Sequence, residues 1–169
     1  MSSSDSFPSG SWTLYFHDPA DSSWTKDSYK IIGSFRSFPE LWATIGAASS
    51  RIPDTKILNG MFFLMRDPYL PLWESKANIR GGSYSVKVPE KASSETFSRY
   101  MAAAALNLIS KDEKNQIVGV SISPKRGFHI IKIWNTDSRA FHSPADINIY
   151  GDGMIVSDVI YRPHVDQKM

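Results

Sequence analysis

The sequence predicts an α+β domain built on an antiparallel sheet. Short segments rich in β-branched and aromatic residues outnumber helical ones, several of their connections are of hairpin length, and only two segments space apolar residues for a helix. Two amphipathic helices must bury their stripes, and one face of the sheet is the surface available to them. The opposite face is then left free for a ligand.

The elements follow in order. "MSSSDSFPSG" is a polar, low-complexity start, so residues 1–10 are expected to form a disordered tail. Residues 11–169 carry no linker and no internal repeat and are expected to form a single domain. "SWTLYFH" (Ser11–His17) alternates as a strand, "DPADSS" is a loop that delivers Trp24, and "YKIIGSFRS" (Tyr29–Ser37) is a second strand. A helix follows, with Ser37 as its N-cap, Pro39 in its first turn, and Leu41, Ile45 and Ala48 on one face. "MFFLMR" (Met61–Arg66) is a short apolar strand ended by "DPYLP", and "SYSVKV" (Ser83–Val88) is another after a Gly-Gly turn. The second helix is expected over Ser93–Ser110, with Phe97, Met101, Ala104 and Leu108 as its core stripe. "QIVGVSIS" and "FHIIKIW" flank "PKRG" as a hairpin, and "MIVSDVIY" (Met154–Tyr161) is expected to be the last strand.

Composition narrows the chemistry. The chain has 169 residues, 41% hydrophobic and 21% charged, which is enough to bury a real core. No apolar run approaches the length of a membrane span and no leader pattern opens the chain, so a soluble, intracellular protein without membrane contact is expected. The absence of Cys removes thiol nucleophiles, thiolate metal sites and disulfides. A net charge of +2 implies that any contact with nucleic acid is local and short. The G-x-S-x-G, H-E-x-x-H, Walker-type and G-x-G-x-x-G signatures are all missing. The four His (His17, His129, His142, His164) lack metal-ligand spacing and read as surface or polar-core residues. Binding is therefore the better class: no catalytic residue, no metal site and no cofactor are expected.

The placing of the five Trp is the strongest signal. Trp12 lies in an alternating strand and reads as core, whereas Trp24 and Trp73 lie in loops among polar neighbours. Two loop indoles could sandwich one aromatic ring, and stacking of a base on an aromatic side chain contributes roughly 1–3 kcal/mol. A positively charged base would add a cation–π contribution of about 2 kcal/mol or more per face when water is excluded. Glu74, directly after Trp73, could accept two parallel hydrogen bonds, and the Watson–Crick edge of guanine offers N1–H and N2–H as that pair. Such a bidentate contact discriminates by about 1–3 kcal/mol. The combination would select guanine, and cationic methylated guanine above all.

At this point the residues meet a family. "SWTLYF", "SW" at Ser23–Trp24, "FPELW", "PLWESKANIRGG" and "IKIW" resemble, in order and approximate spacing, the messenger-RNA cap-binding translation initiation factor 4E family, from about Trp12 to Asp166. The resemblance implies a curved antiparallel sheet with two or three helices on its convex face and a ligand slot on the concave side. It implies that 7-methylguanine of the mRNA cap stacks between Trp24 and Trp73, that Glu74 holds the base edge, and that Trp134 packs on the N7-methyl group. Phosphate contacts would come from Arg80, from Lys125 and Arg126 in the hairpin turn, and from Lys168. A role in translation initiation or its regulation is implied, in the cytoplasm with the nucleus as a second location, on capped mRNA that includes hypermethylated caps.

The resemblance also implies a protein-binding surface on the back of the molecule, around Trp42 with Gly46 one turn on, for the scaffold factor 4G or a 4E-binding repressor. The second helix carries an apolar strip of Ala102, Ala103, Leu106 and Ile109 that would extend it. Ala102 and Ala103 depart from the family pattern there, no His-Pro pair precedes the first strand, and Phe141–Gly153 carries no clear third helix, so the chain reads as a divergent paralogue. The competing reading is a protein-interaction module of the same fold with a weakened cap pocket.

Overall fold

Seven strands form one curved antiparallel sheet: β1 (Trp12–His17), β2 (Tyr29–Phe35), β3 (Met61–Arg66), β4 (Gly82–Pro89), β5 (Ile117–Pro124), β6 (Phe128–Asn135) and β7 (Ile160–Pro163). Their spatial order is β2-β1-β3-β5-β6-β4-β7. The computed structural model describes residues 6–51, 60–151 and 156–165. Two helices, α1 (Phe38–Arg51) and α2 (Ser93–Ala105), cover the convex face. The α+β architecture expected from the sequence is the one observed.

Alternation along the strands divides the apolar residues between two clusters. Trp12, Leu14, Leu64, Tyr84, Val86, Val120, Ile131 and Ile133 point to the helices and meet Leu41 of α1 and Phe97, Tyr100, Met101 and Ala104 of α2. Tyr15, Phe63, Met65, Val118 and Trp134 form a smaller cluster on the other face. Each large side chain fully buried in this way contributes about 1.5–3 kcal/mol. The helix-facing cluster thus anchors the sheet, and the smaller one floors its open side.

The helix boundaries follow from local chemistry. Ser37 opens α1, its carbonyl accepting from Leu41 N–H at 3.0 Å and its hydroxyl from Glu40 N–H at 3.4 Å. At the end of α2, Asn107 takes a left-handed conformation (φ 57°). Leu108 N–H then donates to the Ala103 carbonyl at 2.8 Å and Asn107 N–H to the Ala104 carbonyl at 3.1 Å. This closure stops α2 five residues short of the expected Ser110. As a result Leu108 is exposed rather than in the core stripe, and Ile109, expected on the outer strip, is buried.

Other expectations need correcting. Ser6–Gly10 is packed chain, not disordered tail. Phe7 is buried edge-on between Phe35 and Phe38, its N–H donates to the Arg36 carbonyl at 2.6 Å, and Ser6 bridges to Ser37. The Ser9 hydroxyl accepts from Trp12 Nε1–H and donates to the Ala105 carbonyl, both at 2.7 Å, which ties this segment to the end of α2. The expected strand Met154–Tyr161 is shorter and later: Val156–Asp158 is one 3-10 turn and β7 starts at Ile160, while Met154 and Ile155 lie outside the described residues. Among the described residues of Phe141–Gly153, which end at Gly151, there is one 3-10 turn, Pro144–Asp146, capped by Ser143.

Candidate functional site

The concave face has an aromatic half and a polar, cationic half, and the strand register sets both. On β1, His17 falls on the same face as Tyr15 and pairs with Tyr29 of β2. The loop after β1 returns Trp24 over this corner. Its indole stacks on the His17 imidazole with centroids 3.9 Å apart and planes 5° apart, and Tyr29 meets both rings. His17 is 1% exposed and its Nε2 lies 2.8 Å from the Ser23 carbonyl, so the residue before Trp24 is tethered to the ring below it. The Asp21 carboxylate accepts from Ser23 N–H at 2.9 Å and folds the loop locally. Trp24 itself is 50% exposed, with one indole face covered by His17.

Trp73 and Glu74 lie on the 67–81 loop between β3 and β4, and Trp73 is also 50% exposed. Asn78 organises this loop from inside. It is fully buried, and its amide nitrogen donates to the Leu70 and Leu72 carbonyls at 2.7 and 2.9 Å. The glycines that end the loop are set by close packing. A Cβ on Gly81 would overlap the Asn135 carbonyl, and one on Gly82 would overlap the Tyr161 hydroxyl.

Trp134 is 6% exposed, packed on Phe63 and Met65, with its Nε1–H donating to the Ser121 hydroxyl at 3.3 Å. Behind it, Asn135 uses its full hydrogen-bonding capacity. It donates to Asn115 Oδ1 and the Phe141 carbonyl and accepts from Tyr161 O–H and Gly82 N–H. Removing a member would leave buried partners unpaired, at about 1–3 kcal/mol each.

Glu74 joins these parts. Burial and then the Glu74 carboxylate push the Tyr29 hydroxyl up to about 12. The same carboxylate acts on His164, whose ring lies edge-on to Trp134 with centroids 5.1 Å apart. Burial lowers His164 from its ordinary value, the Asn78 carbonyl and Glu74 oppose this, and Lys132 reinforces it. One carboxylate therefore lies within electrostatic reach of the neighbours of both Trp24 and Trp134. Of the expected base-slot residues, Trp24 and Trp134 lie on the concave side, Glu74 acts on their neighbours Tyr29 and His164, and Trp73 precedes Glu74 on the exposed loop.

The cationic half holds residues that sequence reasoning passed over. Lys132 shares a face with Trp134, two positions on, and pairs with Ser85 of β4 and Ser121 of β5. Arg162 of β7 pairs with Ser83, which pairs in turn with Trp134. Lys132 is exposed by area, yet the concave wall removes enough water to push its ammonium below the ordinary lysine value, and Lys125 and Arg162 push it the same way. The charges of Lys125 and Arg162 thus both reach Lys132, and among the described residues none of the three is in an ion pair. The signal was present in "FHIIKIW", where Lys132 alternates in phase with Trp134. Arg126 is exposed at the tip of the β5–β6 turn, beside Gly127 at φ +76°, and Arg80 is exposed on the 67–81 loop. Lys168 lies outside the described residues.

On the convex side Trp42 is 45% exposed and stacks near Phe38, Gly46 has open space around it, and Leu106 is exposed. Ala103 is not part of that surface. It is 5% exposed and packs into the core, because the outer face of α2 lies elsewhere on its circumference.

Three comparisons with known proteins bear on this arrangement. A family model described as Eukaryotic initiation factor 4E matches residues 9–152. The Eukaryotic translation initiation factor 4E of Saccharomyces cerevisiae is 30% identical over 128 residues, covering 73% of this chain and 58% of that protein. The protein of the same description from Eremothecium gossypii is 31% identical over 133 residues, covering 76% and 61%. The chain thus spans about three fifths of the length of the curated relatives it matches. Among solved structures, Ascaris suum eIF4E-3 with m7G cap is similar with a TM-score of 0.60 at 18% identity, covering 77% of this chain and 73% of that one. C. elegans eIF4E-3, in complex with the 4E-binding protein Mextli and a cap analog, is similar with a TM-score of 0.63 at 15% identity, covering 76% and 73%. At these identities the structures speak to the fold.

Proposed function

Because the chain belongs to the eukaryotic initiation factor 4E family, we propose that it binds the 7-methylguanosine cap of messenger RNA without catalysis, in translation initiation or its regulation. The methylated base stacks between Trp24 and Trp73, the Glu74 carboxylate accepts from its N1–H and N2–H, and Trp134 packs beside the N7-methyl group. The observation that carries this reading is that the Glu74 carboxylate acts electrostatically both on Tyr29, which meets Trp24, and on His164, which lies edge-on to Trp134. A carboxylate there is suited both to the donor edge of guanine and to the positive charge that N7-methylation leaves on the base. His17 leaves one indole face of Trp24 open, which is what one wall of a sandwich needs.

The phosphate chain of the cap extends over the cationic half of the concave face. Lys132 and Arg162 hold it there, with Lys125, and Arg80 and Arg126 flank it from the adjacent loops. An anion in that place relieves the mutual repulsion of three cations that, among the described residues, are in no ion pair. Glu74→Ala tests the reading directly. Calorimetric titration with 7-methyl-GTP is expected to show a loss of about 1–3 kcal/mol or more in a variant with unchanged circular dichroism. Undiminished affinity would remove Glu74 from the site.

A second reading concerns the convex side, where the exposed Trp42 favours a docking surface for a scaffold or repressor protein of the translation machinery. The two readings are compatible, since the surfaces lie on opposite faces of one sheet.

A further inference from the structure

His164 has no part in the base slot as just described, yet three elements meet on it. Its backbone N–H donates to the Gly81 carbonyl at 2.9 Å, and its Nδ1 lies 2.8 Å from the Asn78 carbonyl. A carbonyl oxygen only accepts, so Nδ1 carries the proton of the neutral ring. The ring lies edge-on to Trp134. Asn78 in turn holds the Leu70 and Leu72 carbonyls, the second of which precedes Trp73. One unbroken run of contacts leads from Trp134 through His164 and Asn78 to the residue before Trp73.

The geometry points to His164 as a positioning residue. Through Asn78, we propose, it holds the loop carrying Trp73 and Glu74 in place against Trp134 and so sets how well the 2-amino edge of guanine is read. The inference rests on the cap reading and adds to it the residue that keeps the reader aligned. A bidentate hydrogen bond tolerates little misplacement, and the loop from Asp67 to Gly81 is long enough to need an external hold. Its own backbone bonds, Ser75 to Leu72 and Asn78 to Ser75 among them, are local and fix its shape rather than its position on the sheet. Position comes from outside: the Ser11 carbonyl accepts from Asp67 N–H at 2.9 Å, and Ser138 N–H donates to the Arg80 carbonyl at 3.0 Å. For Asn78, between these ends, β7 supplies the hold, since this four-residue edge strand pairs with β4 and delivers His164 to the loop directly after its last residue, Pro163. The burial that keeps the imidazole neutral also spares Glu74 a fixed cation that would compete with the base.

The test uses three variants and two readouts. Asparagine can place an amide N–H near the Nδ1 position, whereas glutamine reaches further, towards Nε2. Hydrogen exchange over residues 75–81 without ligand reads the loop itself. The ratio of affinities for 7-methyl-GTP and for 7-methyl-ITP, which lacks the 2-amino group, reads alignment of Glu74. His164→Ala is expected to raise exchange and to shrink the ratio, each roughly three- to tenfold, the effect of losing one hydrogen bond. His164→Asn restores most of both and His164→Gln does not. Unchanged exchange in His164→Ala overturns the proposal, as does an equal loss of affinity for both nucleotides. A wild-type protein that fails to prefer 7-methyl-GTP to GTP overturns the cap reading instead, and the exchange arm still decides whether His164 holds the loop.

Discussion

Lys132 shows how much a single residue's phase matters. The family resemblance points to the cations of the β5–β6 turn, Lys125 and Arg126, as phosphate contacts. The register places Lys132 on the same face as Trp134, in a row with Ser85 and Ser121, and brings Arg162 across from Ser83. Burial depresses the Lys132 ammonium first, and the charges of Lys125 and Arg162 depress it further, a repulsion that a polyphosphate would relieve. Lys132→Met, which keeps the stem and removes the charge, should therefore weaken 7-methyl-GTP binding by at least about 1 kcal/mol, roughly fivefold. The loss should be much smaller for 7-methyl-GMP. Titrating both ligands checks this, and equal losses would clear Lys132 of phosphate contact. Trp24, Trp73 and Glu74 were legible as single residues because aromatic and acidic groups stand out in polar loops. His164 was not legible, since its role depends on Asn78 and Gly81, more than 80 positions away in sequence.

At the scale of elements, strands were read more faithfully than helix ends. Period-2 alternation fixes which face each strand residue takes, and β1 to β6 lie where alternation, apolar runs and turn signals put them. The end of α2 depends instead on Asn107 adopting a left-handed conformation inside a run of good helix formers, and propensity alone carried the expected helix past it. That one error moved Leu108 and Ile109 to the wrong sides. Ala103 was misplaced separately, by a face assignment on α2 that its burial corrects. On α1 the reading was sounder. Ser37 and Glu40 fix the start, Leu41 goes to the core, and Trp42, the next residue, is left partly in water with Phe38 beside it. A partner that docks there should be lost in Trp42→Ala while cap-dependent fluorescence quenching persists. Pull-down of scaffold or repressor proteins on immobilised cap would read both at once, and retention of those proteins by the variant would count against Trp42 as their anchor.

At the scale of the whole molecule, the sheet separates two surfaces. Convex-side residues of β1, β3, β5 and β6 pack on the helices, and their concave-side neighbours carry the aromatic and cationic halves of the candidate site. This division was legible early, because two amphipathic helices can cover one face of a sheet of this size and leave the other open. What the sequence hid was the amount of chain used to close the structure. Phe7 and Ser9 seal the junction between α1 and the end of α2, although their surroundings read as low complexity. A short polar segment gives no periodic signal, and its order depends wholly on tertiary partners.

The central claim is that the concave slot takes a cationic guanine. Tryptophan fluorescence during titration with 7-methyl-GTP, against GTP as control, tests it most directly, since Trp24, Trp73 and Trp134 are the proposed walls of the slot. Stacking predicts strong quenching by the methylated nucleotide at a concentration at least tenfold below that needed for GTP, as expected when a cation–π contribution of about 2 kcal/mol is present in one ligand and absent in the other. Equal quenching by both ligands, or none by either, would contradict the account and leave the convex surface around Trp42 as the functional face.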